Sequence, residues 1–164
     1  MRKLEELLQL LDEQIELLQQ KHSLLHQMGE CVRRTDATAL AGLLEKGGVL
    51  GARMDVVEQR TQELREAMAE EAGVAAAKFT LGRMADVLDP PAAIALNDRR
   101  ERLLLAVQKL QEESAAVSRL VRFAIEFNNE LLCALVGSAK EGSTYSPQGA
   151  VEPSCEGATF RQSV

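Results

Sequence analysis

Leu4-Glu5-Glu6-Leu7-Leu8-Gln9-Leu10-Leu11-Asp12-Glu13-Gln14-Ile15-Glu16-Leu17-Leu18 decides the fold. Leu4, Leu8, Leu11, Ile15 and Leu18 recur at alternating steps of four and three, and His22, Leu25, Gly29 and Val32 continue the series. That is a heptad stripe along one face of a helix, interrupted only at His22 and Gly29. Leu7, Leu17, Leu24 and Met28 form a flanking row that widens the stripe. A wide stripe suits burial against more than one neighbour better than a two-stranded seam. Glu5, Glu6, Glu13 and Glu16 fall between these positions and read as the solvated face. The reading is one helix over residues 2–34.

Downstream, Thr35 or Asp36 supplies an N-cap, because either side chain can accept from the free N–H groups of a new helix. The next helix spans about 37–71, with a stripe of Leu40, Leu43, Leu44, Gly47, Leu50, Met54, Val57, Thr61, Leu64 and Met68. The short joint makes the two helices an antiparallel hairpin. Gly47, Gly48 and Gly51 interrupt the second helix and mark either a kink or a close helix approach. Gly73 loosens the chain, and an Ala-rich stretch then predicts a short helix over 76–88, a connector or a cap over the hairpin's end.

Asp89-Pro90-Pro91 is a helix start, an acidic cap followed by prolines whose missing N–H groups cost nothing in the first turn. The last helix is expected over 91–137, stopping at Gly137. Its stripe is Leu103, Val107, Leu110, Ser114, Val117, Val121, Ala124, Asn128, Leu131 and Leu135, with a second row of Leu104, Leu120, Phe123 and Phe127. From Ser138 onward Gly, Ser and Pro dominate. This predicts a helical bundle over 1–138 and a flexible tail over 139–164. The fold class is all-α: a long hairpin plus a long C-terminal helix, three to four helices in a coiled-coil-like bundle.

Composition agrees. Apolar residues make up 46% of the 164, aromatics only 3%, with no Trp and one Tyr. Straight-chain residues that lose little rotamer freedom in helices dominate, and no β-branched alternation predicts a strand. A formal net charge of -6 argues against nucleic acid, whose phosphates repel an acidic chain. The basic clusters Arg33-Arg34 and Arg99-Arg100-Glu101-Arg102 are short and mixed with acids. Cys31, Cys133 and Cys155 are an odd number, widely spaced, which points to a reducing compartment rather than a disulfide framework. Cys133 reads as part of the last helix's packing. The acidic start is unlike a signal peptide, and no apolar run approaches the ~18 residues that span a bilayer. A cytoplasmic location without membrane insertion is expected.

Little in the chain suggests chemistry. His22 and His26 share a face at i, i+4, but no carboxylate or nearby Cys completes a metal site. A stripe-position His more often sets register. Histidine phosphotransfer domains carry a motif like His-x-Leu-Lys-Gly; His22-Ser23-Leu24-Leu25-His26 keeps the Leu but lacks the Lys that would neutralise phosphate. Phosphate loops, Gly-x-Ser-x-Gly and Cys-x-x-Cys are absent. No catalytic residue, metal or cofactor is expected. What remains is apolar helix surface, open to a partner helix or to a homodimer.

Four stretches together resemble the FlgN family of flagellar type III export chaperones. They are Lys21-His22-Ser23-Leu24-Leu25; Leu43-Leu44-Glu45 with Glu58-Gln59-Arg60; Phe127-Asn128-Asn129-Glu130-Leu131-Leu132; and the tail Thr144-Tyr145-Ser146-Pro147-Gln148-Gly149, similar to the family's Tyr-x-x-x-Gly. The resemblance covers about 1–150. It implies a chaperone that binds the C-terminal amphipathic segment of hook-associated proteins, prevents their early assembly and delivers them to the export gate. It places the client on the C-terminal helix, where the stripe suggests Val117, Leu120, Val121, Ala124, Phe127 and Leu131. It places the cytoplasmic domain of the gate against Tyr145. The competing readings are a structural coiled-coil or adaptor protein that self-associates, and the phosphotransfer domain.

Overall fold

The computed structural model describes residues 2–75, 78–86 and 88–141. They form four helices and, among the described residues, no strand: α1 (Arg2–Arg34), α2 (Ala37–Glu71), α3 (Leu81–Ala85) and α4 (Pro90–Glu141). The chain divides at Ile125/Glu126 into two units.

In the first unit the ion pairs give the directions of the helices. Glu13 meets Arg53 and Glu6 meets Arg60, so residue numbers fall along α2 as they rise along α1: the pair is antiparallel. Along α4 they rise together, from Asp12–Arg99 to His26–Glu113, both 87 residues apart. α4 therefore runs in the same direction as α1. Exposed pairs of this kind add little stability, from nothing to about 1 kcal/mol each; what they record is register.

The energy lies in the apolar faces. Leu7, Leu11, Ile15, Leu17, Met84 and Leu96 are all but sealed from solvent. One core cluster joins Leu7 and Leu11 of α1, Ala69 of α2, Leu96 of α4, and Phe79, Met84 and Ala85 around α3. The connector thus caps one end of the hairpin, but its helix is only Leu81–Ala85, shorter than the predicted 76–88. Thr80 starts it by accepting from the Arg83 N–H, and Asp86 follows it as C-cap. A second cluster holds Leu10 and Leu17 against Val57. Within it Thr61, a stripe position despite its hydroxyl, donates to the Val57 carbonyl at 2.8 Å and accepts from Gln14 at 3.3 Å. These two bonds offset the cost of taking the hydroxyl out of water.

The hairpin joint has an unusual occupant. The Thr35 N–H donates to Val32 O and the Asp36 N–H to Cys31 O, the two bonds of a Schellman cap. The left-handed position in that cap is Thr35, with φ 57°, where glycine is normal and a β-branched residue is strained. Asp36 then caps α2, its carboxylate accepting from the Ala39 N–H at 2.9 Å. The same cap closes α2, this time with Gly73 at φ 64°.

Of the three interrupting glycines, Gly47 is the close approach: a Cβ there would lie 3.3 Å from Leu24 and 3.6 Å from Met28. Gly48 and Gly51 face open space, and α2 is helical through all three. Leu44, expected on the buried stripe, is instead 60% exposed. It neighbours Leu43, which takes the buried position. α4 begins at Pro90 as the Asp-Pro-Pro signal predicts, but runs through Gly137 to Glu141. A glycine can be accommodated in a helix at a cost of about 1 kcal/mol relative to Ala. No helix among the described residues is long and apolar enough to cross a membrane.

Candidate functional site

α4 changes character along its length. Its early part is held against α1: Leu96 is buried, Ala106 nearly so, and Arg99 donates through Nε to Asp12 at 3.0 Å. The seam continues to Gly29, the second break in the α1 stripe. A Cβ at Gly29 would lie 3.3 Å from Val117 and 4.0 Å from Leu120, so the missing side chain lets α4 approach. Val117 and Leu120, two of the six residues predicted for the client surface, are therefore half-buried on α1. Past them the first unit ends with Val121, Phe123 and Ile125, all exposed, while Ala124 is half-buried.

The second unit carries the densest exposed apolar surface. Phe127, Leu131, Leu132, Leu135 and Val136 are each between 45% and 65% exposed. Phe127 and Leu131 were read from the stripe. Leu132 and Val136 lie off it, and the heptad rule passes them over. A signal for them does exist in the sequence: the doublets Leu131-Leu132 and Leu135-Val136 repeat at a spacing of four, which widens an apolar face to both sides of a stripe. Cys133, expected in the packing, is exposed. Its place on the helix is opposite the apolar residues, next to Glu126, Asn129 and Glu130. The first three residues of the predicted tail, 139–141, belong to α4; Tyr145 and the rest of that tail lie outside the described residues.

A second candidate lies within the first unit. A groove of about 610 Å³ opens there beside α2, lined mostly by polar and charged residues of that helix, among them Asp55, Glu58, Gln62 and Arg65, with Leu11, Leu81 and Leu103 as its apolar part. The histidines do not converge. His22 is half-buried on α1, and His26 is exposed with Nδ1 at 3.1 Å from Glu113. Among the described residues no three His, Cys, Asp or Glu side chains are placed to hold a metal.

Compared with known proteins, residues 1–153 match a family model described as FlgN protein. No curated protein and no solved structure matches the chain.

Proposed function

The chain belongs to the FlgN family of flagellar export chaperones, and from that premise we propose that it binds the C-terminal amphipathic segment of hook-associated proteins in the cytoplasm, keeps them from assembling early and delivers them to the export gate. The observation that carries this reading is the exposure of apolar α4 residues within the second unit, Leu131, Leu132 and Val136 among them. A client that polymerises through helices is masked by a surface that offers the same contacts. Val117, Leu120, Val121 and Ala124 of the first unit, and Phe127 and Leu131 of the second, are the residues we assign to client contact. Release at the gate requires a modest, non-obligate interface. Tyr145 is the proposed contact with the cytoplasmic domain of the gate, close enough in sequence to α4 to raise the effective concentration of the second partner. No catalytic step, cofactor or metal enters this reading.

The test is calorimetry with the C-terminal segment of a hook-associated protein from the same genome. Binding of micromolar affinity or tighter at one-to-one stoichiometry, lost in Leu131→Glu and kept in Tyr145→Ala, is the expected result. Absence of binding to every such segment would refute the proposal. Self-association is the second reading, favoured by Val49 and Val56, which are exposed two turns apart on one face of α2. Sedimentation of the chain alone distinguishes it: a dimer that Val49→Asp dissociates would make that face an interface.

A further inference from the structure

One opening in the first unit carries charge of a single sign. A pocket of about 390 Å³ lies between α2, α3 and α4. Leu81, Leu103 and Leu104 are its apolar part, Arg65 and Arg100 are its charged residues, and no acid lines it. Leu81 and Leu103 are half-buried against the core cluster, whereas Leu104 is 58% exposed. The chain as a whole has a net charge of -6, so a cleft with two cations and no acid runs against its general character. Clefts of one sign between low-dielectric walls concentrate ions of the opposite sign.

The two arginines are placed differently. Arg65 is half-buried. Its Nη2 donates to the Phe79 carbonyl at 3.2 Å and its Nη1 to Gln62 Oε1 at 3.4 Å, while Nε is buried and meets no acceptor. Both of its partners are neutral oxygens. Arg100 is exposed, and its guanidinium carbon lies 3.9 Å from where a Cβ on Gly82 would stand, over the first turn of α3. Thr80, the N-cap of that turn, also lines the pocket; its hydroxyl accepts from the Arg83 N–H and keeps a proton to donate. Other arginines of this unit do meet acids: Arg60 pairs with Glu6, Arg53 with Glu13 and Arg99 with Asp12. Among the described residues Arg65 and Arg100 pair with no carboxylate. A guanidinium drawn partly out of water and given only neutral oxygens gains from a carboxylate, which it binds through charge-assisted bonds.

We infer that this pocket is a binding site for an acidic, aliphatic segment of a partner protein. The carboxylate of an Asp or Glu meets Arg65 and Arg100, and a neighbouring Leu-like side chain covers Leu81, Leu103 and Leu104. A bare anion would satisfy the arginines and leave the leucines uncovered. A fatty acid would need an enclosed tunnel for its alkyl chain, and here the exposed Leu104 leaves the pocket open. A carboxylate beside a branched aliphatic side chain matches both halves. The site shares no residue with the client contact assigned above and does not depend on the chaperone reading.

The experiment is an NMR titration of the full chain that follows leucine methyl and arginine Nε–H signals. The probes are the peptide acetyl-Ala-Leu-Glu-Leu-Ala-amide and its counterpart with Gln in place of Glu. The expected result is saturable shifts at Arg65, Arg100, Leu81, Leu103 and Leu104, with a Kd on the order of 1 mM or tighter for so small a contact. Binding should weaken at least tenfold for the Gln peptide, and for the Glu peptide with Arg100→Gln or Leu104→Gln. Both substituted positions are exposed, so these variants are expected to fold, and circular dichroism checks that they do. Equal binding of the two peptides overturns the inference, as do shifts that fall outside the pocket or no shifts at all. Inorganic phosphate that moves the arginine signals as strongly as the peptide makes this a plain anion site, and decanoate that binds more tightly than the peptide makes it a lipid site; either result overturns it. Pocket signals that shift with protein concentration alone show that a second copy fills the pocket, which also overturns it. Every one of these outcomes leaves the chaperone reading untouched.

Discussion

α1 and the stretch 127–136 of α4 carry the same kind of face and meet different fates. Both present apolar residues over nearly half the helix circumference. On α1 that face is sealed, with Leu7, Leu11, Ile15 and Leu17 at 2% exposure or less; on α4 the corresponding residues are about half exposed. Apolar pattern alone therefore does not fix how deeply a helix face is buried.

Four measurements break or sharpen this comparison. Hydrogen exchange gives the largest contrast. Amides of Leu10–Leu18 should open only with global unfolding, on the order of 5–15 kcal/mol for a domain, while those of 127–136 exchange through far cheaper local opening. Equal protection in both stretches would end the comparison. Truncation comes next. Leu11→Ala should cost about 2–5 kcal/mol in urea denaturation, whereas Leu132→Ala should change stability by less than about 0.5 kcal/mol and act on client affinity instead. At the seam, Gly29→Val forces side-chain atoms into the space of Val117 and should cost about 1–3 kcal/mol. The smallest effects have the opposite sign. Thr35→Gly relieves the left-handed strain, and Gly48→Ala adds helix propensity in open space; each should raise stability by up to about 1 kcal/mol.

Much of the fold was legible in the sequence because its signals are local. The ends of α1 and α2 follow from caps at Thr35, Asp36 and Gly73, and the start of α4 from Asp89-Pro90-Pro91. The misses share one cause: the answer depended on a distant part of the chain. Gly47 and Gly48 look alike in sequence, yet only Gly47 faces Leu24. Leu43 and Leu44 are both apolar, and only packing against α1 selects Leu43 for burial. Within the stretch 76–88 the α-helix is Leu81–Ala85, and Phe79 ahead of it is buried together with Met84 at the end of the hairpin. For the candidate site, Val121, Phe127 and Leu131 could be read from the stripe and its second row, whereas Leu132 and Val136 lie off both and needed the repeated doublets to be noticed.

The two-residue joint at Thr35 and Asp36 also has a kinetic side. Contacts between α1 and α2 close loops from 23 residues, at Leu24–Gly47, to 68, at Lys3–Glu71, while α4 must bring together groups 87 apart. The entropic cost of the longer closure is greater by about 1 kcal/mol at most. The order of synthesis matters more: both helices of the hairpin are synthesised before the first turn of α4 is made. The nascent chain therefore carries α1 with one flank covered and the other bare, and α4 is the first partner that this protein's apolar surface must wait for.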